Sequence, residues 1–340
     1  MQYNNTETEE GKLLRKSVSL FIGILLLTCA LAVPALGAPL LLYTSQPDED
    51  VQVLLKDFGE HHPGIEVQVF RSGTEEVVSK VLAEKMTGRV QADVLLLADA
   101  VTFERLKVEE ILEAYRSPEA AEIPASFIDT DGMYCGTKML ATVFVFNTTV
   151  GEKPEASWKA LTDPKNKDKS IMPSPLYSGA AAYQLGVLTR TEGFGWDFYK
   201  QMKENDVAVG QGNGTIITAV AGGEKAFGPV VDYMALRAKA KGSPVDYIYL
   251  AEGGPVITEP VGIVAKEGNR DDAKRFVDFV LSEPGQMVVS KLGYVPARNG
   301  IPVPEGLLGV GQVRILETDI AVLVREREKD KNSFSEYFGN

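Results

Sequence analysis

Strand-like runs alternate with helix-period segments twice along this chain, with a polar break between the two series. Leu40 to Thr44 reads as a short buried strand, after which Val51, Leu54, Leu55 and Phe58 recur at i, i+3, i+4 and i+7, the period of an amphipathic helix. His62-Pro63-Gly64 stops that helix. Ile65 to Phe70 alternates as a strand, and Ser72-Gly73-Thr74-Glu75 has the form of a capping box opening a helix that buries Val77, Val78, Val81 and Leu82. Ala92 to Leu97 is a third strand, and Asp99 starts another helical pattern. Strands alternating with helices predict an α/β fold with a parallel sheet.

The second series follows a strand-like Thr142 to Asn147 and a polar stretch, Lys153 to Ser170, rich in lysine and interrupted by Pro154 and Pro164. Ser170 to Met172, Val207 to Gly210, Phe227 to Val231 and Asp246 to Leu250 read as strands. Helical patterns occupy Ala180 to Leu188 and the segment holding Ile216, Ile217 and Val220. Another carries Ala273, Phe276, Val277 and Val280 and stops at Ser282-Glu283-Pro284-Gly285. At 340 residues the chain has room for two such lobes.

Composition removes several classes of function. The formal charge is −12, against the basic face that nucleic-acid binders need. With 2 histidines and 2 cysteines, no Cys/His metal cluster is expected. No loop has the form of a phosphate-binding G-x-x-x-x-G-K-[ST] or a dinucleotide G-x-G-x-x-G, and no G-x-S-x-G elbow exists. His61 and His62 read as the solvated last turn of the first helix, and the carboxylates give no paired arrangement, so no catalytic residue and no cofactor is predicted.

Lys12, Arg15 and Lys16 precede an apolar run from Val18 to Val33, and the small-residue site Ala35-Leu36-Gly37 follows Pro34. This predicts a cleavable export signal over residues 1–37 and a periplasmic mature protein; the alternative is a retained membrane anchor. Cys29 then belongs to the leader, which leaves Cys135 without an intramolecular partner and best read as a buried small side chain.

Open α/β sheets bind ligands outside the carboxyl ends of their strands, where helix N-termini aim unpaired N–H groups at the crevice. Here those junctions read Thr44-Ser45-Gln46, Ser72-Gly73-Thr74, Ala98-Asp99-Ala100, Tyr177-Ser178-Gly179 and Gly212-Asn213-Gly214-Thr215. Hydroxyls and glycines at helix starts suit a phosphate or phosphonate. Any single one is equally an ordinary N-cap.

The run LLLYTSQPDEDVQVLLKDFGEHHPGIEVQVFRSGTEEVVSKVLAE, then ADVLLLAD and SWKALTDPKNKDKSIMPSPLYSGAAA, resembles the periplasmic substrate-binding proteins of ABC importers. The segment EPVGIVAKEGNRDDAKRFVDFVLSEPGQMVVSKLGYVPARNG is similar to that family's return segment, in the branch of ferric-ion, phosphonate and hexose-phosphate binders. The resemblance implies a periplasmic binding protein type II fold, two α/β lobes joined by crossing strands near Ala141 to Asn147 and Val256 to Ile263. Lobe one would hold residues 38–140 and 258–303, and lobe two 141–257 and 304–340, with C-terminal helices packing back onto lobe two. It also implies a monomer that closes on a small anionic solute and delivers it to an inner-membrane ABC permease.

Ferric binders of this branch carry a histidine where this chain has Pro47, a glutamate near the position of Ala98 or Asp99, and a tyrosine pair where it has Asp232-Tyr233-Met234. With most of that hard oxygen set missing, a ferric site is the alternative and no metal ligand is assigned. The expected ligand residues are Ser45, Ser72, Gly73, Thr74, Asp99, Ser178, Gly179, Gly214, Thr215, Asp232 and Tyr233. Of these, Asp232 would accept hydrogen bonds from an amine or sugar hydroxyl at the ligand's far end. An exported α/β hydrolase acting on phosphoesters is the alternative from another class.

Overall fold

The computed structural model describes residues 1–2, 38–268, 270–316 and 318–339. The expected leader therefore falls, but for its first two residues, outside the described residues. In chain order the elements begin β1 (Leu40–Thr44), α1 (Asp48–His61), β2 (Val67–Arg71), α2 (Thr74–Met86), β3 (Val94–Leu96), α3 (Ala100–Val108), β4 (Leu112–Glu113), β5 (Cys135–Gly136) and β6 (Lys138–Asn147). The second series is β7 (Ile171–Pro173), α4 (Gly179–Leu188), α5 (Gly195–Glu204), β8 (Ala208–Gly210), α6 (Asn213–Ala221), β9 (Phe227–Val231), α7 (Asp232–Ala240) and β10 (Val245–Tyr249). The chain continues through β11 (Val256–Ile257), β12 (Pro260–Val264), α8 (Arg270–Leu281), α9 (Glu283–Lys291), β13 (Val295–Pro296) and α10 (Ile320–Phe338). Among the described residues no helix is long and apolar enough to cross a membrane.

Two sheets form the centres of two α/β lobes. The first has the order β2-β1-β3-β12-β4, with β5 also paired to β12. Strands β2, β1 and β3 run parallel, as βαβ crossovers through α1 and α2 require, whereas β12 inserts antiparallel between β3 and β4. The second sheet is built on β6, the longest strand. Its first residues pair with β13 and β11 and its remainder with β9 and β10, all antiparallel. One crossing between lobes is therefore β6 itself. A second is Thr258-Glu259, between Ile257 at the end of β11 and Pro260 at the start of β12, and the chain crosses once more between β13 and α10.

Each sheet carries its own packed core. In the first lobe Val51, Leu54 and Phe58 of α1 meet Phe276, Phe279 and Val280 of α8, with Phe58 edge-on to both phenylalanines at 5.1 and 5.4 Å. In the second, the fully buried Trp158 packs against Phe144 and donates its indole N–H to the Gly253 carbonyl at 2.9 Å. Cys135 is buried, with its thiol pushed up to about 12 by that burial.

Three local expectations change. The N-cap of α2 is Gly73, not Ser72, whose hydroxyl turns to the exposed Glu76 carboxylate; no capping box forms. Ser282 does not merely end α8. It caps α9 by accepting from Gly285 N–H, with Pro284 in the first turn, where a missing N–H costs nothing. The C-terminal helix α10 packs not only on the second lobe, through α4 and α5, but also on α3 of the first.

The close approach of β9 to β7 sets a strict size limit: a Cβ at Gly228 would sit 2.0 Å from the Ile171 carbonyl oxygen. Gly228→Ala is expected to lower stability by roughly 3 kcal/mol or more, because both clashing groups are backbone. The midpoint of urea unfolding measures this.

Candidate functional site

Between the sheets lies a cleft of about 340 Å³. Its first-lobe wall comes from residues just past the carboxyl ends of β1, β2 and β3: Ser45 and Pro47, Arg71 and Gly73, and Ala98. Its second-lobe wall comes from the starts of α4 and α6, including Ser178, Gly179, Gly214 and Thr215. Tyr233, Met234, Ile257 and Glu259 line it towards the crossing strands. The cleft thus sits where three helix N-termini converge, those of α2, α4 and α6.

Of the residues expected from sequence, Ser45, Gly73, Thr74, Ser178, Gly179, Gly214, Thr215 and Tyr233 line this cleft. Ser72, Asp99 and Asp232 do not. Ser72 is held by Glu76 at the surface of α2. Asp99 is fully buried, capping α3 by accepting from Thr102 N–H at 2.9 Å and pairing with Arg327. Asp232 is fully buried as the first residue of α7, where it accepts from Tyr233 N–H at 2.9 Å and from the Tyr249 hydroxyl at 3.2 Å. Burial pushes its carboxyl up to about 7 despite those donors. Tyr177, from the same junction as Ser178, also lines the cleft.

Two charged residues on the wall escaped the sequence reading. Arg71 is exposed and its Nε donates to the Gln46 carbonyl at 2.9 Å, which fixes the guanidinium at the mouth. Glu259 is buried, and its Oε2 accepts from Gln46 Nε2 at 3.0 Å and pairs with the buried Lys138. Its backbone is left-handed, with φ of 40°, a conformation that costs a non-glycine residue of the order of 1 kcal/mol or more. Thr137 holds it there, its Oγ1 donating to the Glu259 carbonyl at 2.7 Å. A sequence signal existed for Arg71, the last residue of a strand facing the crevice, but none for the conformation of Glu259.

Behind Tyr233 the lobes are joined by a buried chain of contacts. Tyr233 stacks at 4.1 Å on Tyr294, and the Arg237 guanidinium lies 4.6 and 4.7 Å from the two ring centres. Arg237 of α7 donates two 2.9 Å bonds to Asp50 in the first turn of α1, and the Tyr294 hydroxyl donates to the same carboxylate. Burial pushes the Tyr233 phenol well above its ordinary value. Among the described residues no three His, Cys, Asp or Glu side chains stand close enough to hold a metal ion.

At the opposite rim the lobes touch directly. A Cβ on Gly73 would meet the Tyr177 ring and its carbonyl oxygen at 2.7 Å. One on Gly179 would meet Asp99 Oδ2 at 2.8 Å and Thr74 Cβ at 2.9 Å. Glu75 N–H donates to the Tyr177 carbonyl, at 3.4 Å. At these two positions only hydrogen leaves room for the residues of the other lobe.

Residues 54–306 match the family of bacterial extracellular solute-binding proteins. The chain belongs to this family. This solute-binding protein is 26% identical over 276 residues to an iron uptake protein of Synechocystis, covering 74% of each chain. Its fold is similar to that of AfuA, a periplasmic binding protein of Actinobacillus pleuropneumoniae whose structure holds fructose-6-phosphate (TM-score 0.80, 23% identity, 88% of this chain and 98% of the other). It is also similar to that of iron-bound HitA from Pseudomonas aeruginosa (TM-score 0.77, 21% identity, 87% and 99%). The two-lobed, cross-stranded architecture is that of these proteins.

Two outcomes follow. Gly73→Ala should hold the rims apart, giving a larger radius of gyration in small-angle X-ray scattering with unfolding nearly unchanged, since the clash exists only between closed lobes. For Asp232 the folded-state pKa, about 7, lies above the unfolded 3.8. Its contribution is therefore fully present below about pH 4 and lost as pH rises through about 7. Relative to Asp232→Asn, the unmodified protein should lose of the order of a few kcal/mol between about pH 4.5 and pH 8, read by urea unfolding at each pH.

Proposed function

We propose that this protein is the capture component of an ABC importer, binding a small phosphorylated or phosphonate solute by hinge closure and presenting it to a membrane permease. The observation that carries the proposal is the convergence of three helix N-termini and the Arg71 guanidinium on one cleft. Backbone N–H groups, the Ser45, Thr74, Ser178 and Thr215 hydroxyls and a planar cation form a donor-rich cradle for anionic oxygens. Glu259 lines the same cleft towards the crossing strands and takes the role first given to Asp232, accepting from a hydroxyl or amine of the solute. The fructose-6-phosphate held by AfuA is a solute of this polarity.

The protein works without covalent chemistry, as a periplasmic monomer exported through the 1–37 leader. The moving bodies are residues 38–140 with 258–303 and 141–257 with most of 304–340, hinged at β6 and Thr258-Glu259. A ferric solute fits the donor set less well. The groups on the wall that could offer anionic oxygen are Glu259, already paired with Lys138, and the phenols of Tyr177 and Tyr233, the second kept protonated by burial.

A thermal-shift screen over inorganic phosphate, hexose phosphates, aminoalkylphosphonates and ferric salts tests this. A phosphoryl solute at a hundredfold excess over Kd should add about 2.7 kcal/mol of stability. Arg71→Ala with Thr215→Ala should weaken that binding tenfold or more, leaving unfolding within about 0.5 kcal/mol because both side chains are exposed. Stabilisation by ferric salt with a phenolate charge-transfer band would reject the anion reading, and turnover of a phosphoester would reject the binding reading.

A further inference from the structure

The buried stripe of α10 is Leu323, Arg327, Asp330, Phe334 and Phe338, one face of a helix interrupted by two charges. Phe334 and Phe338 belong to the second-lobe core, and Asp330 receives two bonds from Arg190, at 2.6 and 3.2 Å, at the end of α4. This anchors the C-terminal half of the helix in the second lobe.

Arg327 points the other way. Its side chain is 5% exposed and reaches Glu75, in the first turn of α2, at 2.6 Å, and both oxygens of Asp99, the cap of α3, at 3.1 Å. The Thr102 hydroxyl lies 3.2 Å from the same guanidinium, and Lys331 reaches Glu75 at 2.7 Å. Lys331 also meets, at 3.2 Å, the exposed Glu328, which pairs in turn with Arg105, so three cations face three carboxylates and the cluster carries no net charge. Burial pushes the Glu75 carboxyl up, but Arg327 and Lys331 outweigh it and hold the carboxyl below its ordinary value.

The place of the cluster matters as much as its composition. Glu75 is the residue whose N–H bonds Tyr177 across the rim, and Asp99 stands against Gly179 of the opposite lobe. The ion cluster and the rim contacts therefore form together. We infer that α10 is a closure latch, with Arg327 a positioning residue that favours the closed cleft by joining the second lobe to the N-termini of α2 and α3 without touching the solute.

An ion cluster suits a latch better than an apolar seam would. Its Coulomb gain is largely offset by the desolvation of its members, and on opening those members return to water, so the net bias is small and closure remains reversible. A bias of 1.4 kcal/mol is a tenfold change in the open–closed equilibrium and, through the closed fraction, in apparent affinity. The inference rests on the proposed reading of the cleft as a site that closes, but its test needs no solute.

The test is hydrogen exchange on the full, ligand-free chain, read at the Glu75 amide and at core amides of β1 and β9, with scattering for the radius of gyration. Arg327→Gln should speed exchange at Glu75 at least tenfold and enlarge the radius, while β1 and β9 keep their protection. Lys331→Gln should do the same more weakly, and Arg327→Lys should recover part of the protection. If Arg327→Gln does not fold, the Lys331→Gln and Arg327→Lys variants carry the test. Unchanged exchange at Glu75 in these variants overturns the latch, and so does acceleration that is equal at Glu75, β1 and β9, since that is a loss of global stability. Failure of every phosphoryl solute to bind would sink the anion reading and leave these exchange outcomes intact.

Discussion

The ion pair between Lys138 and Glu259 joins two of the places where the chain passes from one lobe to the other. Lys138 opens β6, and Glu259 precedes β12. Both are buried, so neither charge is tolerable alone, and the pair obliges the two crossings to run side by side. Lys138 also sits 4.4 Å from the Tyr294 ring centre, extending the contact to Tyr233, Arg237 and Asp50. Under the proposed hinge closure, crossings pinned in this way would let the lobes turn about one line while their sheets stay intact. The cleft wall at Glu259 is then part of the hinge itself.

Charge has opposite signs at long and short range in this molecule. The chain carries −12 overall, which repels an anionic solute at a distance. Inside the cleft, helix N-termini, hydroxyls and Arg71 act over a few ångströms, a range at which solvent ions screen them least. Glu75 and Asp99 would spoil that balance, since both stand behind the wall at the helix starts, but Arg327 and Lys331 neutralise them.

Most of the scaffold was legible in the sequence because it rests on local patterns. β1 and β9 fall on the residues that apolar runs marked, and α1 begins and ends around its i, i+3, i+4, i+7 stripe. The junction rule likewise placed Ser45, Thr74, Ser178 and Thr215 at one cleft, since strand ends and helix starts are local features. Asp99 and Asp232 went astray because a carboxylate at a helix start satisfies the same pattern whether it faces the crevice or the core. What separates those cases is the partner, and Arg327 lies 228 residues beyond Asp99. The signal for it was present in α10 alone: Arg327 and Asp330 occupy core positions of a stripe otherwise made of Leu and Phe, which demands charged partners somewhere. Gly73 and Gly179 were seen as glycines at helix starts, but their reason is the lobe that closes on them, which no local pattern holds.

Cys135 has a practical corollary. It is the one cysteine among the described residues, it is buried in β5 opposite Val261 of β12, and that burial pushes its thiol up to about 12, so almost none is thiolate at neutral pH. A maleimide dye would pass it by and react with a cysteine introduced at the rim. Among the described residues no reactive native thiol would then compete for a single fluorophore placed there to report the distance between the lobes.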